Sequence, residues 1–175
     1  MDVPIAHIIG TAALIALVIS VTLAYQIVVD YVETNVLKAQ LKQIAEYVSM
    51  NLVNIITLTE FAYGDVSTST VMSKSLKLPK DISGKTYRVR LVNEGGNCYV
   101  QAELITRTDL TAKSSIPLNS AKTRVIIVTG EIQLPDDSIT PSSVVYGGNP
   151  NIVVWCWKNS SSSMCAGIGL RTGGS

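Results

Sequence analysis

Few side chains in this sequence could do chemistry. It has one histidine, His7, and three cysteines, Cys98, Cys156 and Cys165. Metal sites and activated nucleophiles need such groups clustered at regular spacings or paired with a base. Here the cysteines lack CxxC spacing, and His7 stands at the head of a long apolar run, away from any nucleophile in the second half. GxSxG, HExxH and phosphate-binding glycine motifs are missing from the sequence too. We therefore expect no enzyme activity, no metal site and no cofactor.

Charged groups are sparse. Only 15% of the 175 residues are charged, the formal net charge is +1, and like charges form no run. Proteins that bind nucleic acid usually carry a basic patch or stripe. We therefore expect no nucleic-acid partner.

The first sixty residues are expected to form one helix. Asp2, followed by Val3 and Pro4, is a helix-start signal. The 22 residues Ile8–Val29, "IIGTAALIALVISVTLAYQIVV", carry no charge and would span about 33 Å as a helix, roughly the thickness of a bilayer core. They are apolar on every side, so they need an apolar environment all round.

After Val29 the pattern becomes amphipathic without a break. Apolar residues from Val32 to Ile56 recur every three to five positions, with polar residues mostly between them, which is typical of a helix with one buried face. The sequence therefore predicts one helix from Val3 to about Phe61, with Gly64 as its stop.

The second half has the alternation of β-strands. "TYRVRLV" and "NCYVQAEL" flank the turn "NEGG" and predict a hairpin, with Arg88 and Arg90 on its outer face. "TRVIIVTGEIQL" is interpreted as a largely buried strand. "NIVVWCW" and "CAGIGL" form a last pair. Its Trp155 and Trp157 are expected to pack in the core or at the sheet edge, and a ligand-binding aromatic platform is the alternative. The predicted fold class is α+β: a helix domain (1–63), a linker (64–84) and a small antiparallel β-sandwich (85–175).

Two chemical modifications are candidates in the last hairpin. Pairing of Cys156 with Cys165 across its loop fits a register that sets Trp157 opposite Met164, and we expect this disulfide first. A bond from Cys98 to either of the other two cysteines, or three reduced buried thiols, are the alternatives. Asn159 begins the sequon Asn-Ser-Ser in the expected polar loop. It is a candidate for glycosylation, against the plainer interpretation of a serine-rich turn.

The layout of the chain resembles type IV pilins, specifically archaeal pilins and archaellins. The resemblance lies in the wholly apolar stretch "VPIAHIIGTAALIALVISVTLAY", which becomes amphipathic and leads into a β-domain. Residue 5 is Ile, where bacterial pilins typically have Glu and archaeal members commonly do not.

The resemblance implies a filament subunit on the cell surface. Its helix would lie in the cytoplasmic membrane before assembly and in the core of a helical homopolymer afterwards. The implied partners are other copies of the chain, the pilus assembly machinery and a prepilin peptidase, which removes the short basic leader of precursors in that family. Adhesion is the expected role. The core would be formed by apolar residues of the first helical stretch, namely Ile8, Ile9, Leu14, Ile15, Leu17, Val18, Ile19, Val21, Leu23, Ile27 and Val28.

The main alternative is a binding module of the cell envelope. Archaellum stator-type proteins combine a single membrane-spanning helix with a β-sandwich, and the stretch Val32–Ile56 would then serve as a stalk or a small coiled coil. The sequence leaves open whether the filament serves adhesion or motility, and what it binds.

Overall fold

The computed structural model describes residues 3–62, 70–117, 124–130, 132–160 and 163–172. It divides into two compact units, Met1–Val36 and Leu37–Ser175. Helix α1 runs from Val3 to Phe61, which confirms the predicted single helix and both of its predicted ends. Asp2 and Gly64, the predicted start and stop signals, lie outside the described residues.

The second unit contains nine strands within these ranges. They are β1 Val71–Ser75, β2 Tyr87–Glu94, β3 Asn97–Leu104, β4 Thr111–Ser115, β5 Arg124–Ile127, β6 Ile139–Pro141, β7 Val144–Tyr146, β8 Ile152–Ser160 and β9 Ser163–Arg171. One sheet has the order β1-β8-β9-β5, with β6 also paired to β9, and the other has the order β4-β3-β2-β7. The predicted α+β class, one long helix followed by β-sheets, is therefore confirmed.

The main core of this unit joins α1 to both sheets. The helix supplies a face of residues spaced three or four apart, as expected for one side of a helix. Alternate residues of β2, β3, β8 and β9 complete the same cluster, because side chains of a strand point alternately to its two faces. The fully buried helix residues are Leu37, Leu41, Ala45, Val48 and Leu52.

The hairpin of β2 and β3 forms as predicted. Leu91 pairs with Val100 across the strands, and Gly95 and Gly96 make the turn with φ of 60° and 86°. These positive φ angles are costly for other residues but open to glycine. The register also places Arg88 and Arg90 on the face turned away from the main core, as the alternation indicated.

The prediction of a purely antiparallel sandwich is wrong at β5. This strand runs parallel to β9, with Val125 opposite Met164. The strand before it, β4, belongs to the other sheet, so β5 enters its sheet through a crossover rather than a hairpin, and a crossover allows parallel pairing.

The long buried strand expected at "TRVIIVTGEIQL" is also wrong. Among the described residues of this segment, only Arg124–Ile127 form a strand, and just Ile127 of it is buried. As an edge strand, β5 is paired on one side alone. Beyond it the chain leaves the sheet, and Leu134 and Ile139 pack in a second cluster with Val153 and Trp155.

The segment expected to be a linker, 64–84, carries part of the fold. Residues 63–69 lie outside the described part, but β1 follows and pairs antiparallel with β8, Val71 opposite Trp157. Leu76, Leu78 and Ile82 are buried in the main core. The compact unit therefore begins inside the helix at Leu37 and includes most of this segment.

The second cluster depends on a glycine. Trp155 is fully buried, and its Nε1 donates a hydrogen bond to the carbonyl oxygen of Ile168 at 2.9 Å. Gly167 lies directly opposite Trp155 in the register. A Cβ there would come within 2.7 Å of the indole Cζ2 atom, so only glycine leaves room for the ring.

We predict that Gly167→Ala lowers the free energy of unfolding by about 1–3 kcal/mol, because the hydrogen-bonded indole would have to shift. Denaturant titration followed by tryptophan fluorescence measures this loss. Gly130→Ala is the matched control, since a Cβ there has nothing within 4 Å. Equal stability of the two variants would contradict the close contact.

Candidate functional site

The largest unusual surface in the first unit is the apolar side of α1. Every residue assigned from the sequence to a filament core is described, and each side chain is more than half exposed. Three successive positions, Leu17, Val18 and Ile19, point in three directions about 100° apart, so the exposed apolar surface surrounds the helix. The full set is Ile8, Ile9, Leu14, Ile15, Leu17, Val18, Ile19, Val21, Leu23, Ile27 and Val28.

The Ser and Thr hydroxyl groups in this stretch are already paired within the helix. Thr11, Ser20 and Thr22 each donate to the carbonyl oxygen four residues earlier, at 2.8 Å. A hydroxyl without a partner is costly in an apolar environment, and back-bonding to the helix removes that cost. These three groups can therefore be enclosed by lipid or by other helices, whereas Tyr25 and Gln26, near the end of the stretch, carry further polar groups. By length and composition, this helix could cross a membrane.

A second exposed apolar row lies on α1 within the second unit. It consists of Tyr47, Met50, Leu58 and Phe61, all exposed. The spacings of three, eight and three residues keep these side chains on one side of the helix, roughly opposite the face that packs on the sheets. The sequence analysis followed only the buried stripe and missed this row. The sequence contains the same 3.6-residue period in this row, but the row is rotated by about half a helical turn from the buried stripe.

The predicted disulfide Cys156–Cys165 is wrong. All three cysteines are free and buried. The register pairs Trp157 with Cys165 and Cys156 with Ala166, one residue away from the register that the disulfide assumed. Because a one-residue shift turns every side chain to the other face, Cys156 lies in the main core and Cys165 in the second cluster. Cys98 shares the main core with Cys156 without a bond between them.

The candidate glycosylation site has a different setting from the one expected. Asn159 belongs to strand β8 rather than to a loop, at a point where the register with β9 shifts between Lys158 and Ser160. Its side chain lies outside the described part of the structure. Glycosylation at Asn159 stays a prediction.

A buried carboxylate on the outer face of the four-stranded sheet also escaped the sequence analysis. Glu103 is only 3% exposed, and it accepts hydrogen bonds from Arg88 Nε and from Gln101 Nε2. Arg88 and Glu103 are direct cross-strand neighbours. Counting residues outward from a two-residue turn at Gly95–Gly96 would have paired them, whereas counting from the whole predicted NEGG turn pairs Arg88 with Gln101. The cluster links the two strands of the hairpin.

Other site chemistry is sparse in the parts of the chain that the structure describes. They contain no group of three His, Cys, Asp or Glu side chains placed to hold a metal ion. His7 is on the exposed first stretch of α1, far along the chain from the cysteines.

Alkylation should count three free thiols. In denaturant and without reducing agent, we predict that iodoacetamide adds three adducts per chain, one for each unpaired cysteine. In native conditions the same reagent should add none within the same time, since burial blocks access. Intact-mass spectrometry measures both results. A single adduct in denaturant would show that two of the three cysteines form a disulfide.

The thiols also predict an alkaline loss of stability. Burial raises the pKa of Cys156 from 9.0 to about 11, and it raises the pKa values of Cys98 and Cys165 as well. The unfolded thiol ionises at lower pH than the folded one. The contribution of Cys156 is therefore complete below about pH 9 and is lost as the pH rises to about 11.

Denaturant titrations at about pH 8 and about pH 11 measure this loss. Cys156→Ala removes one of the groups responsible, so its free energy of unfolding should fall less between the two pH values than that of the unchanged protein. An equal fall in both would contradict the assignment.

Comparison of the chain with protein-family models, with curated proteins and with solved structures finds no match in any of the three. The features that bear on function are therefore the two exposed apolar surfaces of α1.

Proposed function

We propose that this chain is the structural subunit of an extracellular, archaeal type IV pilus-like filament that polymerises through α1 and serves adhesion. Before assembly, the first stretch of the helix lies in the cytoplasmic membrane. After assembly, copies of the helix surround one another in the filament core. Prepilin peptidase and the pilus assembly machinery act on the subunit in this proposal, and the β-domain faces the outside.

The observation that carries the proposal is the extent of exposed apolar surface along α1. The stretch Ile8–Val29 matches the thickness of one bilayer core. The row from Tyr47 to Phe61 lies outside that stretch, in the second unit. Lipid can enclose the first surface, and other copies of the same helix can cover both.

The energetics favour such a core. Burying an exposed Leu, Ile or Val side chain contributes about 1.5–3 kcal/mol at most, and twelve such residues of the stretch Ile8–Val29 are exposed in a single chain. The back-bonded hydroxyls of Thr11, Ser20 and Thr22 remove the main polar cost of burying them. Assembly is then a matter of apolar burial, with no covalent step.

The envelope-anchored binding module is the competing function. It uses Ile8–Val29 as an ordinary membrane span and needs no partner helix there. In that function, the row on the second unit stays in water along a stalk or is covered in a small coiled coil. Electron microscopy of material sheared from cells, with mass spectrometry of its main band, separates the two functions directly. Thin filaments made of this chain support the subunit, whereas protein found only in membranes supports the anchor.

The substitution Leu17→Lys tests the core. A buried, unpaired ammonium group costs several kcal/mol, so the yield of sheared filaments should fall at least about 100-fold. Leu17→Met is the matched control, because it keeps an apolar side chain of similar size. Leu17 is exposed in the single chain, so neither change disturbs the second unit.

The membrane fraction must be measured for both variants, because a charge at the centre of a span also costs about 2.5–3.5 kcal/mol on insertion. A normal yield of filaments from Leu17→Lys would show that this stretch of the helix is not part of the filament core. Loss of the protein from membranes as well would place the defect in insertion, and the yield would then be compared per inserted subunit.

A further inference from the structure

Phe61 is the most exposed large apolar side chain of the second unit. It is the only phenylalanine in the sequence, it is the last residue of α1, and its side chain is 93% exposed. It ends the row that starts at Tyr47. Single exposed apolar residues are common, but this one has a complementary cavity elsewhere on the same unit.

The cavity lies between α1 and the loop that follows β1. It has a volume of about 330 Å³, and a cavity of roughly 150 Å³ already holds a benzene ring. Its apolar lining comes from Ile44, Tyr47, Leu78, Pro79 and Ile82. Gln43 also lines it, on the helix side. A phenyl ring therefore fits both its size and its chemistry.

The loop that closes the cavity is held in place by its own hydrogen bonds. The Tyr87 hydroxyl donates to the Pro79 carbonyl oxygen at 2.7 Å, and the amide of Gly84 donates to Asp81 Oδ1 at 2.8 Å. Ile82 and Lys85 exchange backbone hydrogen bonds, each 2.9 Å long. A cavity with fixed walls loses little conformational entropy when a side chain enters it.

The chain cannot fill this cavity with its own Phe61. Tyr47, the nearest helical lining residue, is 14 positions before Phe61 on the same helix, a distance of about 21 Å along its axis. Since Phe61 is the only phenylalanine in the sequence, a phenyl ring in this cavity comes from another molecule. Gln43, Tyr47 and Phe61 lie on the same side of α1, so two helices that face each other through this side bring cavity and phenyl ring together.

Charge favours a second copy as that molecule. Lys77 and Asp81 line the cavity, and the exposed Lys80 comes directly before Asp81 in the sequence, so two positive charges and one negative charge lie there. The carbonyl end of α1, at Phe61, carries the negative end of the helix dipole. An incoming Phe61 therefore brings negative charge towards the two lysines.

We propose that Phe61 of one copy enters the cavity at Ile44 and Ile82 of a second copy, with the two α1 helices parallel and displaced by about 26 Å along their axes. The parallel direction rests on the proposed filament, in which all copies leave the membrane with the same orientation. Each copy gives one phenyl ring and receives one. This head-to-tail contact does not close on itself and produces an open polymer.

Cross-linking between copies tests the contact. The double variant Gln43→Cys/Ala62→Cys of the full chain has one new thiol on the cavity wall and one beside Phe61. Sheared filaments and membranes of producing cells are both tested. A bismaleimide with a two-carbon spacer then joins neighbouring thiols. The native cysteines are buried and stay unmodified. The two new positions are 19 residues apart on α1 and its end, about 28 Å, so the short reagent cannot join them within one chain.

The expected result on a denaturing gel is a ladder of dimers, trimers and longer species from the double variant only. Each single variant should give none. The pair Ala62→Cys/Lys113→Cys is the geometric control, because Lys113 is exposed on strand β4, away from the cavity. In the background Phe61→Ser the ladder should weaken roughly tenfold or more, whereas Met50→Ser, which removes another residue of the row, should leave it.

Three results would overturn the contact, and they separate it from the filament proposal. Filaments in the microscope without a ladder would reject the docking of Phe61 and leave the filament standing. Dimers without longer species would indicate a closed, antiparallel pair. Neither filaments nor cross-links would reject both proposals. A ladder in membranes without filaments would support the docking and count against the filament.

Discussion

The second unit is organised around one packed interface, in which α1 and both sheets turn apolar faces into a single cluster. Leu41, Val48 and Leu52 are fully buried there, together with Val89, Val100 and Val154 from the two sheets. The apolar face of each sheet is buried by the helix as well as by the other sheet. This packing fixes which face of the helix is buried, and it therefore also fixes which face points away from the sheets.

That orientation decides what the rest of α1 can do. With the Leu41–Leu52 side committed to the sheets, Tyr47, Met50, Leu58 and Phe61 must face away from them. In the first unit, the described apolar side chains of the helix are exposed. Exposed apolar surfaces of this extent usually mark contacts with a membrane or with another protein.

The cysteines show how much one register decides. Residues 156 and 165 flank the turn of the last hairpin, and on the sequence alone their pairing is reasonable. In the fold, the bulge near Lys158 shifts the ladder, so that Cys165 faces Trp157 while Cys156 faces Ala166. The two thiols then belong to different clusters on opposite faces of one sheet. A hairpin loop recognised in the sequence shows which two strands pair. It does not show a bulge, and the bulge decides which face of the sheet each side chain occupies.

The local elements follow from neighbouring residues alone: α1 from Val3 to Phe61, the β2–β3 hairpin with its Gly95–Gly96 turn, and the β8–β9 pair. They depend on periodicity, on the lack of helix breakers and on glycine at positive φ. Other features become visible only in the folded chain, namely the parallel pairing of β5, the entry of β1 into a sheet, the faces of the cysteines, the burial of Glu103 and the cavity beside Ile44. Each of these depends on contacts between residues distant in sequence, where packing rather than local preference sets the lowest free energy.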